Sequence, residues 1–424
     1  MNRRFLKNAT WIIAAKIVQL LIGLFVSAMS ARYLGPANVG TIDYVASFVA
    51  FFTSFATLGL NNVIVKELID RQDDGKVLGT SIIMRMMSSL LSMICVIALI
   101  VILNPNDKTM LAVTVLQSVS LIFQSLEMFN FWYQSKLQSR TSSIIQTISY
   151  ILVAGYRLYC LATSRNVLWF AFATTLDSLI VGVLLYFSYH KNSGHVLAYD
   201  RGLAKSMFAD SHHFIYSGLM VAIYSQMDKL MIKQMIDISS VGQYGIATGI
   251  NTMWSFLLQA IIDSMYPLIV EAKKQQDTVR YNRRIVQLYS IVLWSSIALS
   301  TIITLCSHFI VMTLYGSQYL PAVSVLKIYT WVNTFAYLGV ARGAWMVCEN
   351  NQKYQKVILG IGCLTNLVLN ALMIPVWGIA GAAVATLITQ IVTSFVAPMC
   401  IPATRVNSFF ILKALNPIHI LDHD

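Results

Sequence analysis

Long apolar runs recur along this 424-residue chain from one end to the other. Each run has about 18 or more residues and few charges, so as a helix it reaches across a hydrocarbon core of about 30 Å. Backbone groups in lipid must be hydrogen-bonded within the spanning structure, which runs of this length achieve as helices. The sequence therefore predicts an all-α, polytopic membrane protein with about twelve transmembrane helices. The runs lie near residues 9–31, 41–60, 79–103, 110–133, 142–162, 167–189, 211–233, 241–270, 285–306, 322–347, 357–374 and 378–402.

The composition agrees with a membrane protein. Hydrophobic residues make up 57% of the chain and charged residues only 11%, whereas soluble domains carry about 25% charged residues. The net charge of +12 does not indicate nucleic-acid binding, because the basic residues lie in short connections between apolar runs. Positive charge in such connections is typical of loops that face anionic lipid.

The distribution of Lys and Arg predicts the orientation. The N-terminus, the even-numbered loops and the C-terminal tail hold 20 of these residues, and the odd-numbered loops hold 4. Cytoplasmic loops of membrane proteins are enriched in Lys and Arg. Both termini are therefore expected in the cytoplasm.

A faint internal repeat predicts two halves. Val39-Gly40 opens the second run, and Val241-Gly242 opens the eighth, about half the chain later. Six helices per half keep the halves in the same orientation, which implies a pseudo-twofold axis along the membrane normal. The sequence predicts two pseudo-symmetric six-helix bundles, 1–200 and 201–424, the second followed by a short cytoplasmic tail.

Three runs carry polar residues at helical spacing, so that each set shares one helix face. Hydrogen bonding between helices explains a single such residue, whereas three stripes favour a shared aqueous lumen. The stripes are Asp43, Ser47, Ala50, Ser54, Thr57 and Asn61 in the second run; Gln117, Ser120, Gln124 and Glu127 in the fourth; and Thr252, Ser255, Gln259 and Asp263 in the eighth.

Eleven charged residues lie within the runs. If all faced lipid at about 2.5 kcal/mol each, the cost would exceed about 25 kcal/mol, so they must be hydrated or paired. At 1.5 Å per residue, Lys16 lies about 12 Å inside the cytoplasmic face, and Asp177 is near the middle. The set comprises Lys16, Arg85, Arg157, Lys229, Lys327 and Arg342, with Asp43, Glu127, Asp177, Asp228 and Asp263.

Several of these charges also have a simpler interpretation. Arg85 and Arg342 lie close enough to the cytoplasmic face, and Lys327 to the opposite face, for their charged ends to reach water. Asp43 is expected in the first turn of its helix, where a carboxylate complements the helix dipole. Asp228, next to Lys229, is expected to pair with neighbours near the outer face.

The sequence predicts no metal site or cofactor. There is no Gly-rich phosphate loop ending in Lys-Ser or Lys-Thr, so no ATPase is built into the chain. The six cysteines have neither metal-ligand nor disulfide spacing and are expected to be buried free thiols. Proton or sodium coupling is left open.

Four stretches of the sequence carry a family resemblance. They are ARYLGPANVGTIDYVASF with LGLNN after it, SQMDKLMIKQMIDISSVGQYGIATGI, LYGSQYLPAVSVLKI and NLVLNALMIPVWGIAGAAVATLITQ. These stretches resemble the polysaccharide flippases, the O-antigen and repeat-unit exporters of the MOP (multidrug/oligosaccharidyl-lipid/polysaccharide) exporter superfamily. Since they occur in that family's order and spacing, the resemblance covers nearly the whole chain.

The resemblance implies two bundles facing a central cavity and working by alternating access. It implies an undecaprenyl-diphosphate-linked oligosaccharide as substrate, moved across the bacterial inner membrane for O-antigen (lipopolysaccharide) or similar polysaccharide biosynthesis. Implied partners are membrane lipid, a polysaccharide polymerase and a chain-length regulator. The deep charges are nearly balanced, so the sequence does not show a cationic lumen. Candidate substrate-binding residues are Lys16, Arg157, Arg85, Gln124, Glu127, Gln259 and Asp263, and candidates for coupling or gating are Asp43, Asp177 and Asp228.

Two alternatives remain. A drug exporter of the same superfamily would use acids such as Asp43 and Asp263 as cation or proton sites. A membrane enzyme, such as a sugar polymerase or ligase, would need an external catalytic surface, and no odd-numbered loop exceeds about 20 residues. The sequence therefore favours a transporter over an enzyme.

Overall fold

The computed structural model describes residues 3–71, 73–193 and 196–421, with the side chains in these ranges except those of residues 3–18, 62, 193 and 421. The described chain forms twelve long helices and no strand. The predicted class, an all-α polytopic membrane protein, is confirmed. The helices are α1 (3–34), α2 (36–56), α3 (Asp74–Leu103), α4 (Lys108–Ser135), α5 (Ser139–Ala162), α6 (Val167–Ser193), α7 (Arg201–Met235), α8 (Ile238–Lys274), α9 (Thr278–Tyr315), α10 (322–348), α11 (355–377) and α12 (379–400).

Half of these helices qualify individually as membrane spans. Eight stretches of the described chain are long and apolar enough to cross a membrane. Two of them, Gln19–Ala56 and Gln352–Cys400, each contain a pair of helices joined at a kink: α1 with α2, and α11 with α12. The eight stretches therefore contain ten of the twelve helices, and only α7 and α10 lie outside them.

The kink between α1 and α2 forms at Gly35, which has φ 73° and ψ 167°. Glycine adopts this backbone conformation without steric cost, and Pro36 suits the first position of a helix because its missing N–H is not needed there. Helix α2 therefore begins at residue 36, earlier than predicted. Asp43 lies in its third turn, so the expected interaction with the helix dipole in the first turn is wrong.

The chain divides into two compact units, Met1–Gln226 and Met227–Asp424. The division falls inside α7, whereas the sequence analysis placed it between residues 200 and 201. The first half of α7 belongs to the first unit because it packs there: Leu203 and Met207 are buried in one apolar cluster with Val77 and Leu78 of α3.

The segment before α7, residues 196–200, also binds to α3, and we call it the strap. The backbone N–H of Ala198 donates to the carbonyl of Gly75 at 3.3 Å. The backbone N–H of Asp200 donates to Oγ1 of Thr80 at 3.0 Å. The strap is therefore fixed to the first two turns of α3 by backbone hydrogen bonds.

All six cysteines are free thiols, as predicted, but their burial differs from the expectation. Cys160 is buried, whereas Cys306 and Cys400 are exposed on the surface of the protein. Both residues lie on helices of membrane-spanning length, where an exposed side chain can contact lipid as well as water. The expectation that every thiol is buried in protein is therefore wrong.

Candidate functional site

Arg85 of α3 is buried within the first unit, with 3% of its surface exposed. Its Nη2 lies 4.0 Å from Oε2 of Glu127 in α4, and its Nη1 donates to Oδ1 of Asn61 at 3.4 Å. The expectation that Arg85 reaches water at the cytoplasmic face is wrong, because its guanidinium group has partners inside the protein.

Asn61 reaches Arg85 from outside α2. Helix α2 ends at Ala56, the chain turns at Gly59 with φ 67°, and Asn61 lies on the short 3₁₀ helix Leu60–Asn62. The predicted stripe that continues along one helix face to Asn61 is therefore wrong. The turn, which the sequence signals only by Gly59, places this amide next to the guanidinium group.

The predicted stripe on α4 is also interrupted. Gln117 and Ser120 are 1% and 0% exposed, while Gln124 and Glu127 are partly exposed. The helix tightens into a 3₁₀ turn at Ser125–Glu127, so residues three and four apart no longer follow one face. Only the C-terminal half of the stripe, Gln124 and Glu127, lies at a surface of the first unit.

The 3₁₀ turn of α4 packs closely on α6. A Cβ atom at Gly182 of α6 would lie 3.0 Å from Cβ of Leu126, so a small residue is needed at this crossing. Asp177, also on α6, lies within electrostatic range of Glu127. The close crossing therefore brings two acidic side chains near each other.

Asp177 is exposed at the surface of the first unit and accepts a hydrogen bond of 2.5 Å from Oγ of the buried Ser149. Arg157 of α5 is partly buried and lies within electrostatic range of Asp177 and of the Tyr150 hydroxyl. Tyr150 in turn donates to the backbone carbonyl of Gln19 at 2.6 Å, which joins α5 to α1.

Four charged side chains thus come together in the first unit, and we call them the N-terminal charge cluster. They comprise two cations and two acids, so the cluster is balanced in charge, as the sequence indicated for the deep charges. Lys16 lies outside the described side chains. The members are Arg85, Glu127, Arg157 and Asp177.

Asp43 lies on α2, where it is partly buried. Its backbone carbonyl accepts a 2.8 Å hydrogen bond from Oγ of Ser47, and Ser47 is 1% exposed. Ser47 of the predicted stripe on α2 is therefore packed within the first unit, whereas Asp43 keeps part of its surface exposed.

In the second unit, the predicted stripe on α8 lies at the surface. Nε2 of Gln259 donates to Oδ1 of Asp263 at 2.8 Å, and Asp263 is exposed. No ion pair to Asp263 is present in the described part of the chain. An exposed carboxylate in the middle of a spanning helix is stable where it contacts water, whereas contact with lipid costs free energy.

Asp228 is the most enclosed acidic group of the second unit, with 4% of its surface exposed. Its Oδ1 accepts from Nδ2 of Asn370 at 2.6 Å and of Asn366 at 3.2 Å. Its Oδ2 accepts from the hydroxyl groups of Thr386, at 2.5 Å, and Tyr244. Helices α7, α8, α11 and α12 therefore converge on one carboxylate, which is not the expected pair with a neighbour at the outer face.

The Asp228 site has no counter-charge among the described residues, and its donors are all neutral. Oδ1 of Asn370 is buried without a hydrogen-bond partner. The Thr386 hydroxyl has one proton and two acceptors, Asp228 and the carbonyl of Ala382 at 3.0 Å. A buried carboxylate with additional free oxygen atoms suits a proton or a hard cation, which prefers oxygen ligands.

Sequence reasoning missed all four partners of Asp228 as site residues. The signal was present in the pair Asn366 and Asn370, which lie four residues apart in an otherwise apolar run and so share a helix face. Thr386 follows on the next helix. Nothing in the sequence indicated that these positions meet Asp228.

Arg342 of α10 is buried in the second unit, with 2% exposed. Its Nη1 donates to the carbonyl of Thr393 at 2.6 Å, inside the π-helical turn Val392–Val396 of α12. Water at the cytoplasmic face is therefore not its partner, contrary to expectation. Lys327, in contrast, is exposed.

The fold is that of multi-pass transporters of the MOP superfamily. The chain is similar to the inward-facing conformation of a multidrug resistance MATE family transporter of that superfamily, with TM-score 0.68, 12% identity and 95% and 96% of the two chains covered. It is also similar to the lipid II flippase MurJ in an inward closed conformation, with TM-score 0.65, 15% identity and coverage of 98% and 93%.

The sequence comparison gives the family. A family model described as "Polysaccharide biosynthesis protein" matches residues 5–273, more than half of the chain. The protein belongs to this family of polysaccharide biosynthesis proteins. It is 22% identical over 413 residues to the probable low-salt glycan biosynthesis flippase Agl15 of Haloferax volcanii, across 90% of this chain and 79% of that protein.

Proposed function

We propose that this protein is a flippase that moves a polyprenyl-diphosphate-linked oligosaccharide from the cytoplasmic to the outer leaflet. Membership of the polysaccharide biosynthesis family supports this proposal, as does the likeness to a probable glycan biosynthesis flippase. The activity is transport by alternating access and not catalysis. In a bacterium the substrate would be an undecaprenyl-linked repeat unit for O-antigen or a similar polysaccharide, and the location would be the inner membrane with both termini in the cytoplasm.

The N-terminal charge cluster is the observation that carries the proposal. Four ionisable side chains in helices of membrane-spanning length require water, an opposite charge or a polar ligand, and the ion pair within the cluster, between Arg85 and Glu127, is long at 4.0 Å. Arg157 and Asp177 lie partly or fully at the surface of the first unit. A guanidinium group binds phosphate oxygens in bidentate geometry, so Arg157 suits the diphosphate of a lipid-linked sugar, and polar groups such as Gln124 suit its hydroxyls.

Reconstitution tests this function directly. The purified protein is placed in liposomes that contain a fluorescent polyprenyl-diphosphate oligosaccharide, and a membrane-impermeant quencher reports how much label is in the outer leaflet. Protein-dependent movement of the label, absent with Arg157→Ala, is expected. Failure of the wild-type protein to move the label would overturn the proposal. Cation-dependent export of a drug in the same liposomes would instead identify a drug exporter.

We also propose that the Asp228 site holds the coupling ion, a proton or Na⁺. Its support is a buried carboxylate without a counter-charge, ringed by Asn366, Asn370 and Thr386. A bound cation neutralises the carboxylate and uses the free Oδ1 of Asn370, which offsets the cost of burying both. A proton or sodium gradient would then drive the change between inward and outward access.

Thermal stability tests the coupling ion. The wild-type protein is unfolded in NaCl and in the chloride of a bulky organic cation, from pH 6 to pH 8. Stabilisation by Na⁺ identifies sodium, and a pH dependence without a sodium effect identifies a proton. Either effect should disappear in Asp228→Asn, which keeps the shape of the side chain. Equal ion effects in the wild type and the variant would refute the site.

A polymerase and a chain-length regulator are proposed partners, since the exported unit must be consumed by an enzyme of chain assembly on the outer side. Co-purification after crosslinking in intact membranes tests this association. Recovery of neither partner under conditions where the flippase itself is captured would contradict it.

A further inference from the structure

Arg85 is buried but has few close contacts. With 3% of the residue exposed, its contacts to Asn61 and Glu127 are long, at 3.4 Å and 4.0 Å. Its Nε is buried without a hydrogen-bond partner. A guanidinium group has five N–H donors, so Arg85 keeps unused capacity to bind an anion, in a place where an unsatisfied cation is costly.

Glu127 is the more exposed member of its pair with Arg85. The side chain of Glu127 is 40% exposed, and that of Arg85 is 4% exposed. Because Glu127 is the more accessible member of the pair, we expect an anion that approaches Arg85 to encounter its carboxylate first. The carboxylate both neutralises the arginine and keeps other anions away from it.

Glu127 also lies at a point of α4 where the backbone geometry is irregular. It ends the 3₁₀ turn Ser125–Glu127 inside α4, and 3₁₀ segments within a helix often mark a hinge. Arg85 attracts Glu127, while Asp177 lies within range and repels it. The pair, at 4.0 Å, is therefore loosely held, and it lies at a turn where α4 can change its geometry.

We propose that Glu127 is a stand-in anion, which holds Arg85 while no substrate is bound and is displaced by a phosphate oxygen of the substrate. This inference rests on the proposed function. The diphosphate as a whole carries two negative charges, against one on the carboxylate, and its oxygen atoms offer Arg85 a bidentate partner. Glu127 competes with the substrate, so it lowers the affinity and aids release on the far side. Arg85 binds the substrate only after this exchange, and Glu127 sets how tightly it does so.

The first test is affinity for a diphosphate. The purified full-length protein, in lipid nanodiscs, is titrated with geranylgeranyl diphosphate. Glu127→Gln keeps the size of the side chain and removes the competing charge. It should bind about tenfold more tightly than the wild type, which corresponds to about 1.4 kcal/mol. In the liposome assay, Glu127→Gln should move the labelled lipid to the far leaflet more slowly than the wild type, because tighter binding delays release. Unchanged or weaker binding by Glu127→Gln would overturn the exchange.

The second test separates exchange from a general change in charge. In an Arg85→Gln background, adding Glu127→Gln should change the affinity less than about twofold, because the carboxylate then competes for nothing. A tenfold gain that persists without Arg85 would show a general electrostatic effect and refute the inference. Glu127→Asp, whose shorter side chain holds Arg85 less well, should give an intermediate gain. It serves in place of Glu127→Gln if that variant does not fold.

The two proposals fail in different ways. A wild-type protein that neither binds geranylgeranyl diphosphate nor moves the lipid-linked oligosaccharide would overturn the proposed function, and the inference with it. A wild-type protein that does both, while Glu127→Gln gains no affinity, would refute only the role of Glu127.

Discussion

Gly79 of α3 lies where the backbone of the strap approaches most closely, and replacing it by alanine should loosen the strap. A Cβ atom at Gly79 would lie 2.4 Å from the carbonyl oxygen of Ala198 and 2.7 Å from its nitrogen. Real Cβ atoms essentially never approach other heavy atoms so closely. The neighbour is backbone, so the clash cannot be relieved by a rotamer change and the strap must move away.

The cost follows from the hydrogen bonds that hold the strap. Movement breaks the bonds from Ala198 to Gly75 and from Asp200 to Thr80, each contributing about 1 kcal/mol. Alanine is a better helix former than glycine by about 1 kcal/mol. The free energy of unfolding should therefore fall by about 1 kcal/mol relative to the wild type.

Gly155→Ala in α5 is the matched control, because a Cβ atom there meets nothing within 4 Å. It gains helix propensity without a clash, so the two variants should differ in unfolding free energy by about 2 kcal/mol. Unfolding by an anionic detergent in mixed micelles, followed by circular dichroism, measures the difference. Equal stability of the two variants would refute the packing of the strap.

The contact between the strap and α3 can also be followed at Asp200, by a measurement other than unfolding. The carboxylate of Asp200 accepts the backbone N–H of Leu203 at the start of α7 at 2.9 Å, and this bond lowers the pKa of Asp200 below its ordinary value. Asp200 therefore fixes the entry of the chain into α7. Amide hydrogen exchange at the backbone N–H of Asp200 should accelerate in Gly79→Ala and stay slow in Gly155→Ala.

Three further predictions concern orientation and the sites. Reporter fusions after Lys76 should be cytoplasmic and after Ser317 external, and a reversed pattern would contradict the distribution of Lys and Arg. In a cysteine-free background, a cysteine at Asp263 should react with a water-soluble thiol reagent, while one at the apolar, exposed Leu305 should not; equal labelling would exclude an aqueous path along α8. Arg157→Ala should abolish surface polysaccharide at normal protein level and Arg157→Lys should reduce it, since only arginine binds phosphate in bidentate geometry; normal polysaccharide from the alanine variant would exclude the phosphate role.

The sequence by itself determined the helices. Hydropathy and helix breakers are local properties, so twelve apolar runs predicted twelve long helices and the all-α class. The gap between the runs 9–31 and 41–60 predicted the first break, which appears at Gly35, and the break near residue 378 appears at Gly378, with φ 58°. Side-chain chemistry also showed that charges such as Arg157 and Asp177 could not all face lipid.

Only the tertiary structure decided which side chains meet. Arg85 was expected at the water surface because depth along a helix was the only measure available, and the partly exposed carboxylate of Glu127 on a neighbouring helix changed that outcome. The Asp228 site gathers residues from four helices, and Asn370 is 142 positions away in sequence. A polar residue within an apolar run shows that a partner is needed. Which partner it finds depends on how distant helices pack, and local sequence does not contain that information.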